Sequence, residues 1–99
     1  MIAEISFVPI GEGTSLSSHV SKAVSILRAS GLSVELHAMG TNVEGSYEEI
    51  VAAVKQASDA LFAMGADRIL TRLVLDDRRD KPASLQSKKA AVEGKLSKL

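Results

Sequence analysis

Two histidines, His19 and His37, are the side chains best suited to metal or proton chemistry in this sequence. Neither His-x-x-His nor His-Glu-x-x-His spacing is present, and the chain has no cysteine, so no metal site is expected. Nucleophilic catalysis requires a hydroxyl beside a base and an orienting acid. Ser6 and His37 can share one face of a sheet, yet no acid completes a triad and no nucleophile elbow occurs. Gly11 and Gly13 fit neither a dinucleotide fingerprint nor a P-loop. Thr14, Ser15, Ser17 and Ser18 cluster at a helix start, where free N–H groups suit an anion, although such residues more often act only as caps. The run Asp76-Asp77-Arg78-Arg79-Asp80 reads as a solvated turn, and its alternation also suits ion pairs between subunits. These patterns lead us to expect no catalytic residue, metal or cofactor.

The elements that position these residues follow from periodicity. Ile2 to Ile10 alternates as a strand, with Ile5 and Phe7 on one face and Glu4, Ser6 and Val8 on the other. Gly11-Glu12-Gly13 breaks it. Thr14 or Ser15 can cap a helix with Leu16, Val20, Ala23, Val24 and Leu27 on its apolar side, and Gly31 is a left-handed stop followed by Leu32. Residues 32–45 read as a hairpin. Leu32, Val34, Leu36 and Ala38 face one way, Ser33, Glu35 and His37 the other, and Met39-Gly40 turns into a strand from Thr41 to Gly45. Ser46 and Glu49 form a capping box ahead of a helix with Ile50, Val54, Ala57, Leu61 and Met64 in one stripe, ended by Gly65. Arg68 to Asp76 is the last strand, and Ser84 caps a third helix running toward Leu99. The order β-α-β-β-α-β-α predicts an α+β, ferredoxin-like split βαβ fold. It comprises one four-stranded antiparallel sheet, two helices on one face and an extra C-terminal helix.

Ninety-nine residues, 45% of them apolar and 24% charged, suit a single soluble domain spanning residues 1–99. No apolar run approaches the roughly 18 residues of a membrane span, and Met1-Ile2-Ala3-Glu4-Ile5 does not read as a signal peptide, so a cytosolic location is expected. Net charge is zero, but residues 1–50 carry −4 and residues 51–99 carry +4. That asymmetry fits either two differently charged faces or self-association. With one Tyr, two Phe and no Trp, the chain lacks the stacking platforms of a single-strand or RNA binder. On the sheet face away from the first two helices, Val8, Leu70 and Val74 stand among Glu4, Glu35, His37, Arg68 and Arg72. A mixture of this kind suits burial in a homo-oligomer.

Taken together, the segments Val8-Pro9-Ile10-Gly11, Ser30-Gly31-Leu32, Met39-Gly40-Thr41-Asn42-Val43-Glu44-Gly45 and Asp76-Asp77-Arg78-Arg79-Asp80 resemble the thiamine-binding protein family. These are small cytosolic proteins related to proteins that bind thiamine and hydroxymethylpyrimidine. The resemblance spans essentially the whole chain. It departs at Ala38, where many members carry proline. It implies a ferredoxin-like fold, assembly as a dimer of dimers, and binding of thiamine or its hydroxymethylpyrimidine precursor without catalysis. An aminopyrimidine offers an exocyclic amino donor and ring-nitrogen acceptors, so its pocket needs acceptor and donor groups in return, and the thiazolium of thiamine favours a nearby acid. Thr41, Asn42 and Glu44 supply hydroxyl, amide and carboxylate from one strand. His37 approaches from the hairpin partner, and Ser15, Ser17 and Ser18 can close the site from the first helix. Two other classes fit the same residues. One is a small isomerase-like enzyme with an inter-subunit site and Glu44 or His37 as general base. The other is a ligand-free structural or regulatory oligomer.

Overall fold

The computed structural model describes residues 1–13 and 16–99. The described elements are β1 (Ile2–Pro9), α1 (Ser17–Ala29), β2 (Ser33–His37), β3 (Gly40–Glu44), α2 (Tyr47–Ala63), β4 (Ile69–Asp76) and α3 (Leu85–Leu96). The sheet runs β2-β3-β1-β4 with every neighbouring pair antiparallel. Each half is therefore a βαβ unit split by a strand of the other, which is the ferredoxin-like arrangement that the element order predicts.

Alternation sorts the strands as the residue pattern requires. Ala3, Ile5 and Phe7 of β1 and Val43 of β3 are buried under the helices with Ala23 and Leu27 of α1 and with Ile50, Ala53, Ala57 and Leu61 of α2. Ile69, Leu73 and Leu75 of β4 pack against this cluster from the edge. Ser46 accepts from the Glu49 N–H at 3.1 Å and the Glu49 carboxylate accepts from the Ser46 N–H at 3.0 Å, so the capping box forms as predicted. Ser84 caps α3 in the same way, exchanging bonds with Ser87.

The structure differs from the sequence reading in several places. The hairpin turn is Ala38-Met39, because His37 pairs with Gly40 and β3 begins one residue earlier. Helix α1 begins at Ser17 with Leu16 at its N-cap position and no side-chain cap there, while the predicted caps Thr14 and Ser15 lie outside the described residues. In α2 the buried stripe includes Ala53 and stops at Leu61, since Met64 is the C-cap and turns outward. Leu36, in phase with Leu32 and Val34, is 51% exposed on the edge strand β2. Helix α3 buries none of its residues.

The predicted glycine stops occupy the left-handed region, Gly31 at φ 87° and Gly65 at φ 105°, where a Cβ is strained. A Cβ at either position meets nothing within 4 Å, so the backbone conformation alone sets the cost. Gly31→Ala and Gly65→Ala are each expected to lower stability by about 1 kcal/mol in urea denaturation with an unchanged m-value. Neutrality at both positions would contradict the assigned helix ends.

Candidate ligand-binding site

The β1 strand pairs with β4 from Ile2 to Pro9, but with β3 only from Ile2 to Ile5. Beyond the Ile5–Thr41 pair, the hairpin turns away and leaves a notch beside Ser6, Phe7 and Val8. Helix α1 crosses above it. The result is a cavity of about 260 Å³, floored by Ile5, Phe7 and Thr41, roofed by Leu16, Val20 and Val24, and walled by Leu36 to Gly40 of the hairpin. Its size lies just below the roughly 300 Å³ at which drug-sized ligand pockets begin, which matches one heteroaromatic ring better than a long ligand.

The two glycines of the Gly-Thr-x-x-Glu-Gly segment stand where a side chain would crowd its neighbours. A Cβ on Gly40 would stand 3.1 Å from the Ile5 carbonyl oxygen, and one on Gly45 would stand 2.3 Å from Leu32 Cδ2. Their absence of side chains lets β3 lie flush against β1 and lets the strand end over the core. Thr41 follows Gly40 into the helix-covered layer. It is only 5% exposed and forms part of the cavity floor.

His37 lines the same cavity from the closing pair of the hairpin. Its Nδ1 accepts from the Met39 N–H at 3.3 Å, which places the ring proton on Nε2 in the neutral form. The Nε2 lies 3.3 Å from Glu4 Oε2 but off the line of an N–H donor, so the two groups are adjacent without a formed hydrogen bond. Ser6, the polar residue predicted to share a face with His37, also lines the cavity.

Strand alternation separates the other expected site residues from Thr41. Asn42 and Glu44 point to the opposite face of the sheet. Asn42 donates to Glu35 Oε1 at 3.2 Å, and Glu44 Oε1 accepts the Leu85 N–H at the start of α3 at 2.7 Å. A second hollow of about 260 Å³ lies there, between α3 and the sheet, lined by Glu4, Glu35, Asn42, Val74, Lys88 and Lys89. Lys89 pairs with Glu35 and Lys88 with Asp76, so these charges already compensate one another. Ser17 and Ser18 are exposed in the first turn of α1 and border neither cavity, and Ser15 lies outside the described residues. Thr41, His37 and Ser6 all border the first cavity, but alternation turns the His37 and Ser6 side chains to the face opposite Thr41, so they reach it only at the open end of the sheet. The apolar walls, Leu16, Val20, Val24 and Leu36, read by periodicity as helix and hairpin core, because periodicity marks a side chain as inward-facing without saying what covers it.

A ferredoxin-like α+β domain with an apolar cavity at the open end of its sheet is the class this architecture defines. The sequence profile of the family described as Thiamine-binding protein matches residues 3–93, and this chain belongs to that family. It is 40% identical over 96 residues to a UPF0045 protein of Methanothermobacter thermautotrophicus, covering 95% of this chain and 97% of that one. It is 37% identical over 92 residues to a UPF0045 protein of Methanocaldococcus jannaschii, covering 93% and 91%. The crystal structure of the latter superposes with a TM-score of 0.88 over 93% of this chain and 94% of that chain. A Thermotoga maritima protein that carries a thiamine biosynthesis/salvage designation superposes with a TM-score of 0.78 at 25% identity, over 92% and 96%.

The contacts of α3 generate a pH-dependent expectation. Hydrogen bonds from Lys89 first, and then from Asn42, hold the Glu35 carboxyl below its ordinary value. A carboxylate lowered on folding stabilises the folded state above its unfolded pKa, and that contribution is lost as pH falls through the folded value. Carbon-13 titration of the Glu35 carboxyl is expected to show a midpoint below the usual range of about 4.3, with α3 amide signals shifting in step. Lys89→Ala should raise that midpoint and leave the amides of the core strands unchanged. A midpoint indifferent to Lys89→Ala would refute the contact.

Proposed function

We propose that this chain is a non-catalytic binding protein for thiamine or its hydroxymethylpyrimidine precursor, acting as a homo-oligomer. The observation that carries this reading is the cavity beside the Ile5–Thr41 pair. It is built by the segment Met39-Gly40-Thr41, its walls are mainly aliphatic, and the Thr41 side chain, with Ser6 and His37 at the rim, is its polar part. Aliphatic walls take up the faces of a flat ring, and a few fixed polar groups orient its edge. Membership in the thiamine-binding family and likeness to the Thermotoga protein support the ligand class. The cavity accepts the pyrimidine half, and Glu4, 3.3 Å from His37 Nε2, is the acid we assign to the thiazolium.

The surface supports self-association. Val8, Leu70 and Val74 are exposed on the sheet face opposite α1 and α2, and Val92 and Leu96 of α3 are exposed as well. A second copy placed on this face would remove them from water and match the mixed charges around them. Sedimentation at micromolar concentration is expected to give a mass above the 10.4 kDa of one chain. A species of that mass alone would refute assembly.

One observation favours the isomerase-like alternative. The His37–Glu4 proximity of 3.3 Å is an acid and base pair at a cavity wall. Turnover of a pyrimidine with a bell-shaped pH profile would support that alternative, whereas recovery of unchanged ligand from a saturable complex supports binding.

Calorimetric titration with hydroxymethylpyrimidine and with thiamine tests the central reading. Thr41→Val should weaken binding about 2- to 10-fold with the fold intact, since one hydrogen bond worth about 0.5–1.5 kcal/mol is removed. Glu44→Gln separates the two faces of the sheet. Unchanged affinity agrees with the cavity under α1, and weakened thiamine binding would move the ligand to the α3 side.

A further inference from the structure

The backbone at the notch carries an unused recognition edge. The Ile10 N–H donates to the Arg68 carbonyl at 2.8 Å, and the Gly45 N–H donates to the Met1 carbonyl at 3.0 Å. Because the β1 registers contain no bulge, these bonds set the direction of every group along β1. Even-numbered residues present their N–H and C=O to β4, and odd-numbered residues present theirs to β3. Ala3 and Ile5 meet Val43 and Thr41 there, whereas Phe7 meets no strand. The amide that would continue the ladder, Met39 N–H, donates instead to His37 Nδ1. Pro9, the next odd residue, has no N–H to leave unpaired. Among the described residues, therefore, the Phe7 N–H and C=O have no backbone partner, and they lie side by side on the edge that lines the cavity.

We infer that the Phe7 N–H and C=O are the recognition pair of this cavity and read the donor–acceptor edge of a 4-aminopyrimidine. The ring nitrogen next to the amino group accepts from the Phe7 N–H, and the exocyclic amino group donates to the Phe7 carbonyl. The ring thereby takes the position that the next residue of β3 would hold, beyond Thr41 along the strand line, with one face turned to Val20 and Leu16 of α1. A backbone pair facing an apolar wall is costly to leave dry, so an edge that supplies both partners gains more than one that supplies a single partner. This assignment rests on the binding function proposed above.

Nitrogen-15 NMR of the intact protein, titrated with 4-amino-5-hydroxymethyl-2-methylpyrimidine, tests it. The Phe7 amide proton should move downfield, and its hydrogen exchange should slow by about tenfold or more. The Ser6 and Val8 amides, which face β4, should not follow. The 4-dimethylamino analogue, which cannot donate, should bind about tenfold more weakly. Saturable binding that leaves the Phe7 amide unmoved, or that is indifferent to dimethylation, would overturn the recognition pair while the binding function stood. Absence of saturable heat with both the pyrimidine and thiamine would overturn the function and the pair together.

Discussion

The placement of the cavity depends on one hydrogen bond, the donation of the Met39 N–H to His37 Nδ1. In a longer hairpin that amide would bond across to β1 and the sheet would close over Phe7. Turning it back on the neighbouring side chain ends β3 at Gly40, where a Cβ would stand a tight 3.1 Å from the Ile5 carbonyl oxygen. The cavity is what remains when a sheet stops short beneath a helix that does not. Its floor is continuous with the core, so its shape inherits the rigidity of packed Ile5 and Phe7.

Charge is distributed along the chain so that it meets itself in space. The acidic first half and the basic second half are joined where Lys89 reaches Glu35, while Lys88 bonds Asp76 at the end of β4. Glu44 completes the arrangement by accepting the first free N–H of α3, at the positive end of that helix. With no buried residue of its own, α3 is held chiefly by these polar contacts. Exposed pairs of this kind contribute little individually, and their effect here is to set where α3 lies rather than to stabilise the core.

The fold could be read from the residues because each local signal carried its own physics. Alternation in β1, the stripe in α2, the Ser46–Glu49 box and the two left-handed glycines are properties of neighbours within a few positions. The site was harder for the same reason. Alternation within β3 already implies that Thr41 and Asn42 face apart, yet their shared chemistry grouped them on one strand. Which side holds a cavity depends on how far β3 runs along β1, and that is a matter of register between segments more than thirty residues apart. Leu36 shows the same limit, since its phase marks it as inward but only its place on the edge strand decides that it lines an opening.

Size explains why the opening is at the edge. A chain this short buries too little surface to give up volume inside its single core, where Ile5, Leu27, Val43, Ile50 and Leu61 are essentially inaccessible. Emptying space there would cost both transfer energy and a cavity. At the end of the hairpin, the strands have already parted and no packing is sacrificed. The remaining cost is polar, because a strand edge without a partner leaves an N–H and a C=O facing aliphatic walls. Part of that cost is avoided at Pro9, which has no N–H. Among the described residues, the Phe7 N–H and C=O have no backbone partner, and they lie where the walls leave room for a ring. An edge that is a liability for a closed sheet thereby becomes the most directional feature of the site.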